Sequence, residues 1–250
     1  MNNSFIISSE KNDLHQGMYG QCLTWLLEVM YYLETSGTIN DDSKIIFNIN
    51  TMCYDNVIPT FIVPKKNYKI EDLLNPTHIS LAKFKLGCAG CVFEFKEESF
   101  SKASIIFHKY FKFNKLITCK LNEYVFDSSV TLGIHYRGTD KINNPRDREA
   151  NSITTHEVIM IVKDFLKYNN YFTHLFCCSD ERDFIEKMRL NFPDMTIITH
   201  NQTRENRTTF SEGFHKTSRS FSKNIRDELT IACIIDMFLL SKCKTVIKSS

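Results

Sequence analysis

The chain has 250 residues, 42% of them apolar and 24% charged, which excludes a disordered or low-complexity protein and allows one large or two small domains at ~150 residues each. Lysine and arginine total 31 against 29 acids, a formal charge of +2. A balance so near neutral argues against general nucleic-acid binding, which needs a basic surface to displace counterions from phosphates.

The first ten residues, Met1 to Glu10, have neither the positive flank nor the apolar run of a secretory signal. Phe5-Ile6-Ile7 predicts a short strand, then a polar turn over Glu10 to His15. Gly17-Met-Tyr-Gly20-Gln21 leads into a helical run from Cys22 to Leu33, and Lys44 to Ile49 is a strand by its Ile-Ile-Phe content. The stretch from Thr51 to Leu81 holds Pro59, Pro64 and Pro76 and reads as strand pieces and loops. Phe100 to Phe111 is amphipathic and helical, and a second helix covers Asn114 to Val125.

Strands and helices alternate more regularly beyond that point. Val130 to Tyr136 predicts a strand, Thr154 to Tyr168 a helix, and Tyr171 to Cys178 a strand. Glu181 to Asn191 is a helix and Met195 to Thr199 a strand; after a polar segment come a long helix, Ile225 to Ser241, and a last strand, Lys244 to Lys248. Such alternation implies βαβ units and a mostly parallel sheet. The expected division is an N-terminal α/β domain over 1–128 and a second domain over 129–250.

No window reaches the ~20 apolar residues of a membrane helix; the most apolar stretch, Ile231 to Leu240, carries Asp236 in its middle. Nine cysteines without a signal peptide fit a reducing, cytoplasmic location. Cys88-Ala-Gly-Cys91 is a single CxxC with no second Cys or His pair at zinc-finger spacing, so a turn is the better reading and no metal is expected.

Ligands of open α/β sheets bind beyond the carboxyl ends of the strands, which directs attention to the strand exits. The exit after Val130 to Ile134 is His135-Tyr-Arg137-Gly-Thr139-Asp140-Lys141. Arg137 offers a planar fork of donors suited to phosphate oxygens, and Gly138 lets a ligand approach the backbone. On spacing alone the cluster fits either a phosphate site or a solvated loop with an internal Arg–Asp pair. Asp236 is conspicuous in its own right, because a carboxylate removed from water costs several kcal/mol unless paired or hydrogen-bonded. A wet helix face or an internal ion pair would also accommodate it.

The decapeptide Leu132-Gly-Ile-His-Tyr-Arg-Gly-Thr-Asp-Lys141 resembles the donor motif of GDP-fucose-dependent fucosyltransferases, the α1,6, nodulation, α1,2 and protein O-fucosyl types. Two further segments fall in the family's order. Leu175 to Asp180 with Phe184 to Phe192 resembles its strand–acid–helix block, and Ile234 to Ser250 its closing helix–strand–Ser-Ser block. The likeness is looser in the first half, where Gly17 to Gln21 resembles a glycine-rich loop before a helix.

The resemblance implies a GT-B architecture, two Rossmann-like domains facing across a cleft, and an inverting, metal-independent transfer of fucose from GDP-fucose to a glycan or glycoconjugate hydroxyl. In that picture Arg137 neutralises the β-phosphate, Asp236 accepts from guanine N1–H and N2–H, and His135 lies by the base or phosphate. Ser249 and Ser250 donate to the phosphates, Thr139 and Asp140 complete the donor motif, and Gly17 and Gly20 open a helix N-terminus towards diphosphate or acceptor. Relatives carry a second Arg where this chain has Gly138, so Lys141 or Arg146 would supply the missing charge. Glu149, four residues later than the family's Glu-Ala, is the candidate base, with Asp180 as a positioning acid; Arg146-Asp-Arg148-Glu149 also reads as a solvated loop. The chain stops at Ser250 where relatives continue into further helix, so it is expected to be truncated at the C-terminus. Another GDP-sugar donor, a non-catalytic GDP- or glycan-binding protein, and an unrelated doubly wound protein are the alternatives.

Overall fold

A computed structural model of the chain describes residues 3–9, 24–49, 60–81, 97–125, 127–137, 153–200 and 222–249. The chain divides into two compact units, Met1–Thr118 and Cys119–Ser250. The division falls inside a helix, ahead of the 128/129 boundary expected from composition.

In the first unit, β1 (Ser4–Ser8) lies between β2 (Lys44–Asn48) and β4 (Thr77–Ser80), and both pairings are parallel. Phe5 registers with Ile45 and Ile7 with Phe47, so the two-residue period of each strand presents these four side chains to one core. Helix α1 (Thr24–Thr35) covers them with Leu26, Met30 and Leu33, spaced at helical period. The short β3 (Ile62–Pro64) pairs antiparallel with β5 (Phe111–Phe113).

Helix α2 (Glu97–Tyr110) ends one residue before the expectation, because Phe111 opens β5 instead of closing the helix. The buried Phe111 ring meets Phe47 at a centroid distance of 4.8 Å. Lys109 ties α2 to the rest of the unit, bonding Glu34 Oε1 at 2.6 Å and Asp41 Oδ1 at 3.1 Å. The Tyr110 hydroxyl donates to the other oxygen of Glu34 at 3.0 Å, and burial, with that bond, pushes its pKa up to about 12. Helix α3 (Lys115–Asn122) is shorter than the predicted Asn114–Val125, since Asn114 sits outside it and caps it, its Oδ1 accepting from Ile117 N at 2.8 Å.

The second unit is built on four parallel strands in the order β8 (Thr196–Ile198), β7 (His174–Ser179), β6 (Thr131–Tyr136), β9 (Thr245–Lys248). Leu132, Ile134 and Tyr136 point to one face. There they pack against Val158, Ile159 and Val162 of α4 (Thr155–Tyr168) and Phe184, Ile185 and Met188 of α5 (Arg182–Asn191). Tyr136 stacks on Phe184 at 4.5 Å. A capping box starts α4: Thr154 Oγ1 accepts from Glu157 N at 3.2 Å, and Glu157 Oε2 accepts from Thr154 N at 2.6 Å.

The other face belongs to α6 (Lys223–Lys242), capped by Ser222. It lies hard against β6 at Gly133, where an added Cβ would stand 3.0 Å from Cys243 Sγ and 3.1 Å from Leu240 Cδ2. The predicted strand over Tyr171 to Cys178 begins only at His174, because Phe172 leaves the ladder to pack in the α4/α5 core beside Phe165. Both units are therefore α/β with parallel sheets, the class expected from the alternation of elements.

Gly133→Ala is expected to lower stability by about 1–3 kcal/mol, the range for an overpacked core. Denaturant melts of this variant, of Cys243→Ala and of the double variant would show a positive coupling, the smaller Cys243 side chain recovering part of the loss.

Candidate functional site

The path of the second unit runs β6 to β7 to β8 on one side, then returns through α6 to β9 on the other side of β6. The strand order thus reverses between β6 and β9. In open α/β sheets the crevice at the carboxyl ends of two such strands is where ligands bind.

Ser249 joins those two ends. Its backbone N–H donates to the His135 carbonyl at 3.0 Å, and its Oγ accepts from Arg137 N at 3.0 Å. The Ser249 hydroxyl keeps its own proton to donate. Ser249 and Arg137, taken from sequence positions over a hundred residues apart, are in this way held side by side.

His135 is half-buried on the α6 side of the sheet, in register with Cys178 of β7 and Lys248 of β9. Burial is the main cause that lowers its pKa; the carboxylate of Asp180 works against it, while Arg137 and Lys248 push it lower. The imidazole is therefore neutral at pH 7, with one nitrogen to donate and one to accept. Asp180 is half-buried and follows directly on β7, where Ser179 Oγ accepts from Glu181 N at 3.0 Å and fixes the turn into α5.

Asp236 is half-buried on α6 and its Oδ1 is shielded from solvent. Leu240 meets β6 at Gly133; four residues back along the helix is ~6 Å and two residues along the strand is ~6.6 Å. That arithmetic brings Asp236 level with His135. The contact of Cys178 Sγ with the Asp236 carbonyl, at 4.0 Å, agrees with it, since Cys178 registers with His135.

His135, Arg137, Asp180, Asp236 and Ser249 thus belong to one end of one sheet. Gly17, Gly20, Gly138, Thr139, Asp140, Lys141, Arg146, Glu149 and Ser250 lie outside the described residues, as do Cys88 and Cys91. Among the described residues no three of His, Cys, Asp and Glu converge to hold a metal ion, and no helix is long and apolar enough to cross a membrane. Two groups escaped the sequence reading. Lys248 reads as the polar end of a surface strand, and only its register with His135 places it here. Glu181, 2% exposed, reads as a helix start, and its burial is not signalled by its polar neighbours.

No family model matches this sequence, and no curated protein matches it. Solved structures do resemble it. A NodZ α-1,6-fucosyltransferase soaked with GDP-fucose shares 14% identity at a TM-score of 0.53, over 98% of this chain and 87% of that one. The fucosyltransferase NodZ from Bradyrhizobium gives 15% and 0.52 over 97% and 87%. The NodZ enzyme co-crystallised with GDP gives 14% and 0.52 over 98% and 87%. The chain therefore has a fucosyltransferase-like α/β fold.

The depressed pKa of His135 carries a sign. As pH falls below the ordinary imidazole value of ~6.5, the unfolded chain takes up the proton before the folded one. Stability from this group is thus complete above that value and is lost as pH falls towards the folded pKa. Thermal melts at pH 7.5 and 5.5 should show a smaller acid loss in His135→Asn than in the wild type.

Proposed function

We propose that this chain is a GDP-sugar glycosyltransferase of the fucosyltransferase type, moving fucose from GDP-fucose to a hydroxyl of a glycan or glycoconjugate. The observation that carries this reading is the crevice between β6 and β9. There an arginine, a serine hydroxyl and a neutral histidine stand at the level of a shielded carboxylate on α6, within a fold whose solved neighbours hold GDP and GDP-fucose.

Each residue has a chemical part in this reading. Asp236 accepts from guanine N1–H and N2–H, a two-donor edge that adenine lacks. Arg137 and the Ser249 hydroxyl hold the phosphates, joined by Ser250, Thr139 and Asp140 of the motif, with His135 beside them. Gly17 and Gly20 join donor binding through the resemblance of Gly17 to Gln21 to the family's glycine-rich segment. In an inverting transfer the acceptor oxygen attacks the anomeric carbon as the carbon–oxygen bond to GDP breaks, and GDP leaves with that electron pair. The charge building on the leaving diphosphate is met by Arg137 and Lys141, cationic side chains doing what a metal does elsewhere. Glu149 takes the acceptor proton, and Asp180 positions. The five described cysteines are free thiols, which suits a cytoplasmic enzyme.

Calorimetric titration of the purified chain tests the donor site, with GDP against ADP and UDP. Selective GDP binding is expected. Arg137→Ala should weaken it about 10- to 100-fold, the worth of hydrogen bonds to a charged group, and Asp236→Ala should abolish the preference for guanine. Failure of the folded chain to bind GDP would sink the reading.

Glu149→Gln is expected to end sugar transfer while leaving GDP affinity intact. Gly138, where relatives carry a second arginine, favours one other reading, a GDP- or glycan-binding protein without turnover. Absence of both transfer and donor hydrolysis in a wild type that binds GDP would establish it. Another GDP-sugar would show itself in the same assay as turnover of that donor in place of GDP-fucose.

A further inference from the structure

We infer that Lys248 is a further cation of the nucleotide site, closing with Arg137 on the terminal phosphate of a nucleoside diphosphate. The inference rests on the nucleotide reading above and adds to it the residue that selects diphosphate over monophosphate.

Four observations converge on this residue. Lys248 is the last residue of β9 and pairs in register with His135, so the two side chains leave the sheet on the same face, the one covered by α6. The next residue, Ser249, is bonded both to the His135 carbonyl and to Arg137 N, which fixes the Lys248 backbone beside that of Arg137. Lys248 is exposed and makes no hydrogen bond or ion pair with any described residue. Its charge is nonetheless felt at the His135 ring, together with those of Arg137 and Asp180.

The charges around that ring decide what the crevice can hold. Two cations, Arg137 and Lys248, face one carboxylate, Asp180, and the imidazole between them is neutral. With Asp236 committed to the guanine edge in the reading above, the balance left at the phosphate end is positive, so it favours an anion in spite of Asp180. Arg137 can bind phosphate oxygens through a planar fork, whereas Lys248 is a point charge on a flexible stem with three donors. A point charge discriminates by the charge of its partner more than by shape. A nucleoside diphosphate carries more total negative charge than the monophosphate at neutral pH and sets its terminal phosphate farther from the base, and that added charge and reach are what Lys248 reads. The position left without a guanidinium at Gly138 is thereby compensated from a neighbouring strand as well as by Lys141.

The full chain would be titrated calorimetrically with GDP, GMP and guanosine at low and high salt, as wild type, Lys248→Met and Lys248→Arg. Lys248→Met, which keeps the aliphatic stem, is expected to lose about ten-fold in GDP affinity, to narrow the GDP-over-GMP preference, and to flatten the salt dependence. Guanosine affinity should not change, and Lys248→Arg should keep most of the GDP affinity. A ligand-free readout is independent of these: the His135 pKa, followed by NMR, should rise in Lys248→Met. Wild-type GDP binding that Lys248→Met reproduces in strength and salt dependence would overturn the inference and leave the nucleotide reading standing. Equal loss of GDP and guanosine would overturn it too, by showing damage to the strand. A folded wild type that binds no GDP defeats the nucleotide reading itself, and this inference with it.

Discussion

The close approach of α6 to β6 over Gly133 is the contact on which the second unit's architecture turns. A methyl at that position would crowd Cys243 and Leu240 at 3.0–3.1 Å, so the helix or its side chains would have to give by a few tenths of an ångström. Its height along the strand follows from that seat, and so does the level of Asp236 relative to His135. The apolar residues around Asp236 serve the same packing: Ile231, Ala232, Ile234, Ile235 and Leu239 are buried. The carboxylate is carried inward by its neighbours, and what it gains there is a partly dry setting in which one hydrogen bond counts for more.

The opposite face of the sheet has no such economy of space. Leu132, Ile134 and Tyr136 meet two helices through a broad apolar cluster, the ordinary means by which a parallel sheet is covered on both sides. The odd-numbered positions of β6 are polar towards its carboxyl end and the even-numbered ones apolar to the last residue. One strand thereby separates a stabilising face from the candidate site's edge, and Ser249 fastens that edge.

Most of the architecture was legible in the sequence because its signals are local. The apolar run before His135 forms β6, the Thr154–Glu157 cap starts α4, and the charged sequence after Tyr136 does follow a strand. The misreadings share a cause. Phe111 fits the apolar spacing of a helix from Phe107 and equally the alternation with Phe113, and only its pairing with Pro64 of β3 settles the matter. Phe172 looks like strand and packs as core. The weight of Lys248 comes entirely from a pairing with a residue far away in sequence. Local pattern gives element type well, whereas register, burial of an acid such as Glu181, and the meeting of strand ends depend on long-range contacts. For Gly17, Gly20, Lys141 and Glu149 the assignment rests on the motifs alone, since they lie outside the described residues.

The strand order also has a kinetic side. β6 pairs with β7 after an interval of some forty residues, but with β9 only well over a hundred residues later. Long-range parallel pairings close slowly, because the loop entropy is lost before the contacts return it. During synthesis the first three strands of the second unit are made before β9, so the pairing that brings Arg137 and Ser249 together is the last that can form. Until then the edge of β6 is an unpaired row of backbone donors and acceptors, the kind of surface on which nascent chains join one another. The same late docking that assembles the site marks the interval in which the chain is most open to aggregation.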